Sequence, residues 1–310
     1  VPVDGMTISP WEPTIRDGRL FGRGSCDVKG GMACMLAAFS QLVEERPSGM
    51  PTLVMACTVN EEYGFTGAKE MARSWNDGSS ALVPCKPAAV VVAEPTLLDV
   101  VVCHKGVVRW QCKAHGRAAH SSCPDDGDNA IYNMGHALVG FERYARELAQ
   151  APPHERVGSP TLSVGTIQGG ICVNAVPDLC TIEIDRRLLP DEEPEAAWQH
   201  AVDWIANHAS HSDCLRHERP FLVSPGLVDQ TQSEISRRLQ QIVQGHGFPG
   251  RLVGVPYGTD APAFSRLGIP TVIFGPGSIE QAHTASEWIA IDQLHSAVRI
   301  YSELGRRGWR

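Results

Sequence analysis

The chain has 310 residues, 43% of them apolar and 20% charged, with a formal net charge of −8. That length allows about two domains with a sizeable core, and the composition excludes a disordered chain. The acidic balance without any Lys/Arg-rich run argues against a nucleic-acid partner, and no run of about 18 apolar residues is present to span a membrane.

The first residues, Val1-Pro2-Val3-Asp4-Gly5, lack the basic and apolar regions of a signal peptide and read as the middle of a domain. Residues 30–45 carry apolar side chains at helical spacing, and Pro47 and Gly49 then stop the helix. Residues 52–58 and 88–93 are short apolar runs that predict buried parallel strands, with a short helix at 65–75 between them. This is α/β grammar. From Val107 to His115 the pattern changes to strict alternation. Val108, Trp110, Cys112 and Ala114 face one way, and Arg109, Gln111, Lys113 and His115 the other. Such a strand belongs to a sheet with one solvated face, so His104 and His115 are expected in solvent. A helix is expected at 128–150, with Ile131, Met134, Leu138, Phe141, Ala145 and Leu148 on its buried face. Strands at 161–167 and 179–187 and a helix at 192–209, where Trp198 and Trp204 read as packing residues, complete a layer of order β, α, β, β, α. After residue 215 the α/β pattern returns: a helix at 231–245, strands at 251–255 and 271–275, and a helix at 292–306. The expected architecture is an α/β domain formed by 1–103 and 216–310, with an inserted α+β domain at 104–215. The ten cysteines show no C-x-x-C pair, and most lie in apolar runs, as Cys57 and Cys180 do. They are expected to be buried thiols of a cytoplasmic protein.

Chemistry-bearing residues recur where predicted strands end, which is where open α/β sheets bind ligands. Asp27 lies in the Gly-rich turn GRGSCDVKGG, Glu61 and Glu62 follow the 52–58 run, Glu94 follows 88–93, and His283 ends the loop GPGSIEQAH. Each alone reads as a cap or a solvated charge. Together they form a set of oxygen and imidazole donors suited to zinc. Asp260, in GTDA, reads as the N-cap of a helix starting at Ala261.

The segments GRGSCDVKGGMA (22–33), NEEYGFTGA (60–68), VVAEPT (91–96), GRAAHSS (116–122), GGICVNAVPDLCTIEIDRRLLPDE (169–192), YGTDAPAF (257–264) and GPGSIEQAH (275–283) resemble, in the same order, those of the dinuclear-zinc amidohydrolases of metallopeptidase family M20. The resemblance implies a zinc-aminopeptidase-like catalytic domain, a mixed sheet flanked by helices, and a ferredoxin-like lid domain through which the chain forms a homodimer. It implies two zinc ions, for which cobalt can substitute. Asp27 would bridge the ions, Glu62 and His283 would bind one, and Glu94 the other. Glu61 matches the general base. His120 matches a histidine that stabilises the oxyanion and reaches the partner subunit's site. Arg187, in the D-x-R-x-x-P pattern of Asp185–Pro190, matches a clamp for the substrate carboxylate; a cross-strand pair with Asp185 or Glu183 is its plainer reading. Asn174 resembles a substrate contact, and the Gly275–Ser278 loop, with Gly277, would offer backbone N–H groups to the same carboxylate.

The family pattern opens with His-x-Asp-x-x-Pro. Its Pro aligns with Pro2, so its His, a metal ligand, would fall before Val1; the chain is expected to be a fragment that holds fewer metals and turns over poorly. Within the family, GPGSIEQAH and YGTDAPAF look most like the acetylornithine deacetylases, which implies hydrolysis of N2-acetyl-L-ornithine to ornithine and acetate. Succinyl-diaminopimelate desuccinylase and a general N-acyl-amino-acid hydrolase are the alternatives. A catalytically disabled binding scaffold is the alternative of another class.

Overall fold

The computed structural model describes residues 3–308, so Pro2 lies outside the described residues. In chain order the elements are β1 (Thr14–Arg16), β2 (Arg19–Phe21), α1 (Lys29–Glu45), α2 (Thr66–Asn76), β3 (Val90–Val92), β4 (Val100–His104), β5 (Gly106–His115), β6 (Ala119–His120), α3 (Ala130–Gln150), β7 (Thr161–Gly169), β8 (Ala175–Val176), β9 (Leu179–Leu188), α4 (Pro194–His208), β10 (Leu215–His217), β11 (Leu222–Ser224), α5 (Glu234–Gly245), β12 (Leu252–Val255), α6 (Ala261–Ser265), β13 (Thr271–Ile273), β14 (Trp288–Ala290) and α7 (Ile291–Arg307). They divide into two compact units. The first is Val1–Cys103 with Leu227–Val255 and Thr259–Arg310; the second is His104–Gly226 with Pro256–Gly258.

The first unit is built on a mixed sheet of order β12-β4-β13-β3, with β13 parallel to β3 and antiparallel to β4. α1 forms because Cys34, Ala38 and Leu42 recur on one face, and all three are buried. It ends at Arg46, whose left-handed backbone lets its N–H bond back to Leu42. Cys34 and Ala38 pack with Val100 and Val102 of β4, Leu239 and Ile242 of α5, and Ile300 of α7. A second, antiparallel sheet, β1-β2-β14, joins the start of the chain to its end: Phe21 pairs with Trp288 and Leu20 with Ile289. The strand expected at 52–58 is absent. The segment pairs with no strand among the described residues; Val54, Ala56 and Cys57 are exposed, while Leu53 and Met55 are half-buried. An apolar run encodes a buried strand only where neighbours exist to complete the ladder, and none does so here.

The second unit runs β5-α3-β7-β9-α4-β10 with spatial order β10-β5-β9-β7, every pair antiparallel. This is the ferredoxin-like arrangement. Alternation along β5 and β9 puts Trp110, Cys112, Ala114, Ile182 and Ile184 on one face, against Met134, Phe141 and Tyr144 of α3 and Trp198, Trp204 and Ile205 of α4. Both tryptophans are packing residues, as their positions on the helix predict. Each fully buried large apolar side chain contributes roughly 1.5–3 kcal/mol.

Four expectations are corrected. The unit runs past residue 215, because β10 and β11 both pair with β5. β5 has neighbours on both sides; β7 lies at an edge of the sheet and carries a bulge at Gly165 between the Val164 and Thr166 pairs. His104 is fully buried and donates through Nδ1 to the Lys105 carbonyl at 2.8 Å. Ile131, at the first turn of α3, is half-exposed rather than buried. None of the ten cysteines is in a disulfide; Cys180 is buried, but Cys57, Cys85, Cys123 and Cys172 are exposed. No described helix is long and apolar enough to cross a membrane.

Candidate metal centre and active site

Three side chains of the first unit converge. Nε2 of His283 stands 3.1 Å from Oδ2 of Asp27 and 3.2 Å from Oε1 of Glu62. One ligand atom from each lies within 4.8 Å of the others, so the three could hold one metal ion. The chain reaches this point through irregular backbone. Asp27 ends the turn before α1, Glu62 lies on a single 3-10 turn between Asn60 and Gly64, and His283 follows another such turn, with φ of 61°. Left-handed backbone costs a residue with a Cβ roughly 1–2 kcal/mol. Here it turns the His283 ring toward the two carboxylates.

More carboxylates crowd the same place. Glu94, which follows β3, is almost completely buried. Burial, followed by the charges of Glu61, Asp27, Asp260 and Glu62, holds its carboxyl well above the usual range. Glu61 is pushed up to about 8 by burial, then by Asp260, Glu62 and Asp27. Asp27 is raised by burial and by Glu62, with His283 opposing. Carboxylates gathered in partial burial repel one another and shed charge by taking protons, or bind a cation instead. The donor set, carboxylate oxygen with one imidazole nitrogen, suits zinc and similar divalent ions. The residues present therefore fit a metal centre. Glu61 and Glu94 share its electrostatics but stand outside the three-residue cluster.

Asp260 corrects an expectation. It occupies the N-cap position of α6, yet its side chain makes no capping bond. Instead Oδ2 accepts from the Thr58 hydroxyl at 2.6 Å, and Oδ1 is buried without a hydrogen-bond partner. Asp260 is thus a fifth member of the acidic set, and the largest charge acting on Glu61.

Gly277 is a second correction. Its N–H donates to Oε1 of Gln293 at 2.7 Å, and the N–H of Gly275 donates to the Thr96 hydroxyl at 3.1 Å. Neither group is available to a substrate carboxylate. Gly277 is required for packing: φ is +90°, and a Cβ there would stand 2.5 Å from Sγ of Cys26.

The sequence reading passed over Glu287, four residues after His283. It is fully buried, and its carboxylate accepts from Arg23 Nη1 and from the backbone N–H groups of Gly24, Cys26 and Asp27, all at 2.8–2.9 Å. The only signal in the sequence is a carboxylate placed directly before the apolar strand β14.

His120, Asn174 and Arg187 belong to the second unit. His120 and Asn174 come together because β6 pairs with β8: His120 faces Ala175, and Ser121 N–H donates to the Asn174 carbonyl. The backbone N–H of Ser122 approaches Nδ1 of His120 at 3.2 Å, and the Ser122 hydroxyl at 2.7 Å. A backbone N–H can only donate, so Nδ1 is an acceptor and the neutral ring carries its proton on Nε2. Arg187, on β9, pairs with Asp185 two residues earlier on the same strand: Nε lies 2.7 Å from Oδ1 of Asp185 and Nη2 3.2 Å from Oδ2. Arg109 holds the same carboxylate at 2.7 Å. Two guanidiniums thus share one carboxylate.

Comparison with known proteins decides the family. The model of peptidase family M20/M25/M40 matches residues 1–307. The chain belongs to this family. An acetylornithine deacetylase of Myxococcus xanthus is 31% identical, over 99% of this chain and 76% of its own length. One from Vibrio parahaemolyticus is 29% identical, over 98% and 77%. Among solved structures, the aminopeptidase PepT of Bacillus cereus superposes with a TM-score of 0.72 at 22% identity, over 95% of this chain and 75% of its own. A dinuclear metal-binding M20 peptidase of Bacillus subtilis gives 0.60 at 16%, over 90% and 71%. The M20 chain is a metal-dependent amidohydrolase with the fold of that family.

Proposed function

We propose that the chain hydrolyses the amide bond of N-acyl amino acids, with N2-acetyl-L-ornithine as the preferred substrate and zinc as the metal. The observation that carries this reading is the convergence of Asp27, Glu62 and His283, with half-buried Glu61 and buried Glu94 in the same electrostatic field. The identity of about 30% to acetylornithine deacetylases supports the substrate.

Asp27 would be shared between two ions, Glu62 and His283 would complete one, and Glu94 would serve the other, with cobalt able to replace zinc. The chemistry that divalent cations supply at such a centre is acidification of a water and polarisation of the scissile carbonyl. Glu61 binds no metal in this reading. It takes the proton of the attacking water and delivers it to the departing amine, which a carboxylate of raised proton affinity does efficiently near neutral pH. His120 would donate from Nε2 to the oxyanion of the tetrahedral intermediate in the partner subunit's site, a hydrogen bond worth roughly 3–4 kcal/mol in the transition state. Arg187 binds the substrate carboxylate, and Asn174 contacts the substrate beside His120. The second unit pairs two chains into a homodimer; the unpaired edge of β7 supports that arrangement.

The test is the rate of amine release from N2-acetyl-L-ornithine, N-succinyl-diaminopimelate and N-acetylmethionine by zinc-loaded protein, with and without chelator. The reading expects chelator-sensitive hydrolysis, fastest on N2-acetyl-L-ornithine. Faster hydrolysis of the succinyl substrate would overturn the substrate, and no hydrolysis of any of them would overturn the activity.

A further inference from the structure

We propose that Glu287 is a positioning residue for the metal centre: it fixes the backbone of Asp27 and ties that ligand to His283. The inference rests on the metal reading given above.

The turn from Gly22 to Asp27 has no regular secondary structure to hold it, and its N–H groups point inward. One buried carboxylate takes three of them, those of Gly24, Cys26 and Asp27. Oε1 of Glu287 accepts from Cys26 N–H at 2.8 Å and Asp27 N–H at 2.9 Å; Oε2 accepts from Gly24 N–H and Arg23 Nη1, both at 2.9 Å. The Glu287 carbonyl also accepts from Gly22 N–H at 3.1 Å. Charge-assisted bonds of this kind are shorter and stronger than neutral ones, and their fork geometry leaves the turn little freedom.

Topology delivers the carboxylate to this place. β14 begins immediately after Glu287, and Trp288 pairs with Phe21, the residue before the turn. The same segment carries His283, four residues earlier. A single strap therefore bears one ligand, His283, and grips the backbone of another, Asp27, so the separation of the two is set by Glu287. A group that orients ligands in this way typically governs metal affinity about 10- to 100-fold without touching the ion.

Glutamine at 287 keeps the size but sets an amide N–H2 against N–H donors. Arg23 supplies a control, because it binds Oε2 of Glu287 and not Oε1, the oxygen that accepts from Asp27 N–H. The experiment is Co2+ titration of Glu287→Gln, Glu287→Asp and Arg23→Met, read by calorimetry and by the visible absorption of the bound ion, with circular dichroism and thermal unfolding of each metal-free protein. The expected result is Co2+ affinity reduced about 10- to 100-fold in Glu287→Gln, with an altered absorption spectrum. The loss should be smaller in Glu287→Asp, which keeps the charge and serves as the readout if Glu287→Gln does not fold. Arg23→Met should lose thermal stability while its Co2+ affinity stays within about threefold of the parent. Folded Glu287 variants with parental affinity and spectrum would overturn the inference. So would an Arg23→Met loss as large as theirs, since loop stability alone would then explain it. A parent chain that binds no Co2+ would overturn the metal reading itself, and the inference with it.

Discussion

Around Asp27 the first unit gathers like charges, whereas the second unit buries one ion-paired guanidinium and keeps its buried imidazoles neutral. Asp27, Glu62 and Asp260 raise the proton affinity of Glu61 and Glu94, and Glu62 raises that of Asp27, while His283 offsets only part of the repulsion on Asp27. In the second unit, buried Arg186 is paired with Glu192 at 2.8 Å. His104 and His217 are pushed down to about 4 by burial and so stay neutral; Nδ1 of His217 accepts from the Trp110 indole. A fold keeps uncompensated charge only where something outside the chain supplies the counter-charge. The contrast is what the proposed cation centre in the first unit would require, and it can be broken or sharpened experimentally.

The largest expected effect is on turnover. Glu61→Gln should lower kcat by about 10²- to 10⁴-fold, as removal of a general base does, while zinc content is unchanged. Measuring kcat beside metal content separates a proton carrier from a ligand. Loss of zinc in that variant would move Glu61 into the ligand set.

Next is the acid response of the second unit. Unfolded, an imidazole takes its proton near pH 6.5; in the fold, His104 does so only near 4. Between those values the unfolded chain binds the extra proton, so stability falls as pH is lowered from about 6.5 to 4 and changes no further below. His104 alone accounts for about 3 kcal/mol of this at full effect. Urea unfolding followed by tryptophan fluorescence at pH 7, 5.5 and 4 should show the decline, and His104→Gln should flatten it. Metal loading acts on the first unit instead: at a hundredfold excess over Kd, zinc should add about 2.7 kcal/mol. A thermal shift on adding zinc that persists in His283→Ala would contradict the placement of the site.

The smallest effect concerns His120. Ser122→Ala leaves the backbone N–H that defines the tautomer, so the loss of kcat should be less than about tenfold, in keeping with one neutral hydrogen bond. Nitrogen-15 spectra of the ring should report a proton on Nε2 in both proteins; a proton on Nδ1 would break the assignment.

The long helices were legible because their signal is local: α1, α3, α4, α5 and α7 each repeat apolar residues on one face. β5 and β9 were legible from alternation. The pairing was not, because ladder partners lie far apart in the chain. β2 and β14 are three-residue strands separated by nearly the whole sequence, and residues 52–58 carry a strand's composition without a partner. His104 was misread because it ends β4, a strand buried along its whole length, and not the alternating β5. At the site, Asp27, Glu61, Glu62, Glu94 and His283 were found through motif resemblance, and the structure adds why three of them meet. Asp260 and Glu287 were missed because an acidic residue before a helix or strand has an ordinary reading as a cap or a solvated charge. Only the burial of each carboxylate and its partners show otherwise.

The most direct test of the central claim is metal retention. Protein loaded with zinc, dialysed and analysed for metal should keep at least one zinc per chain, and Glu62→Gln with His283→Ala together should abolish that retention in a folded protein. Equal retention by the parent and the double variant, or none by the parent, would contradict the assignment of a cation centre to Asp27, Glu62 and His283.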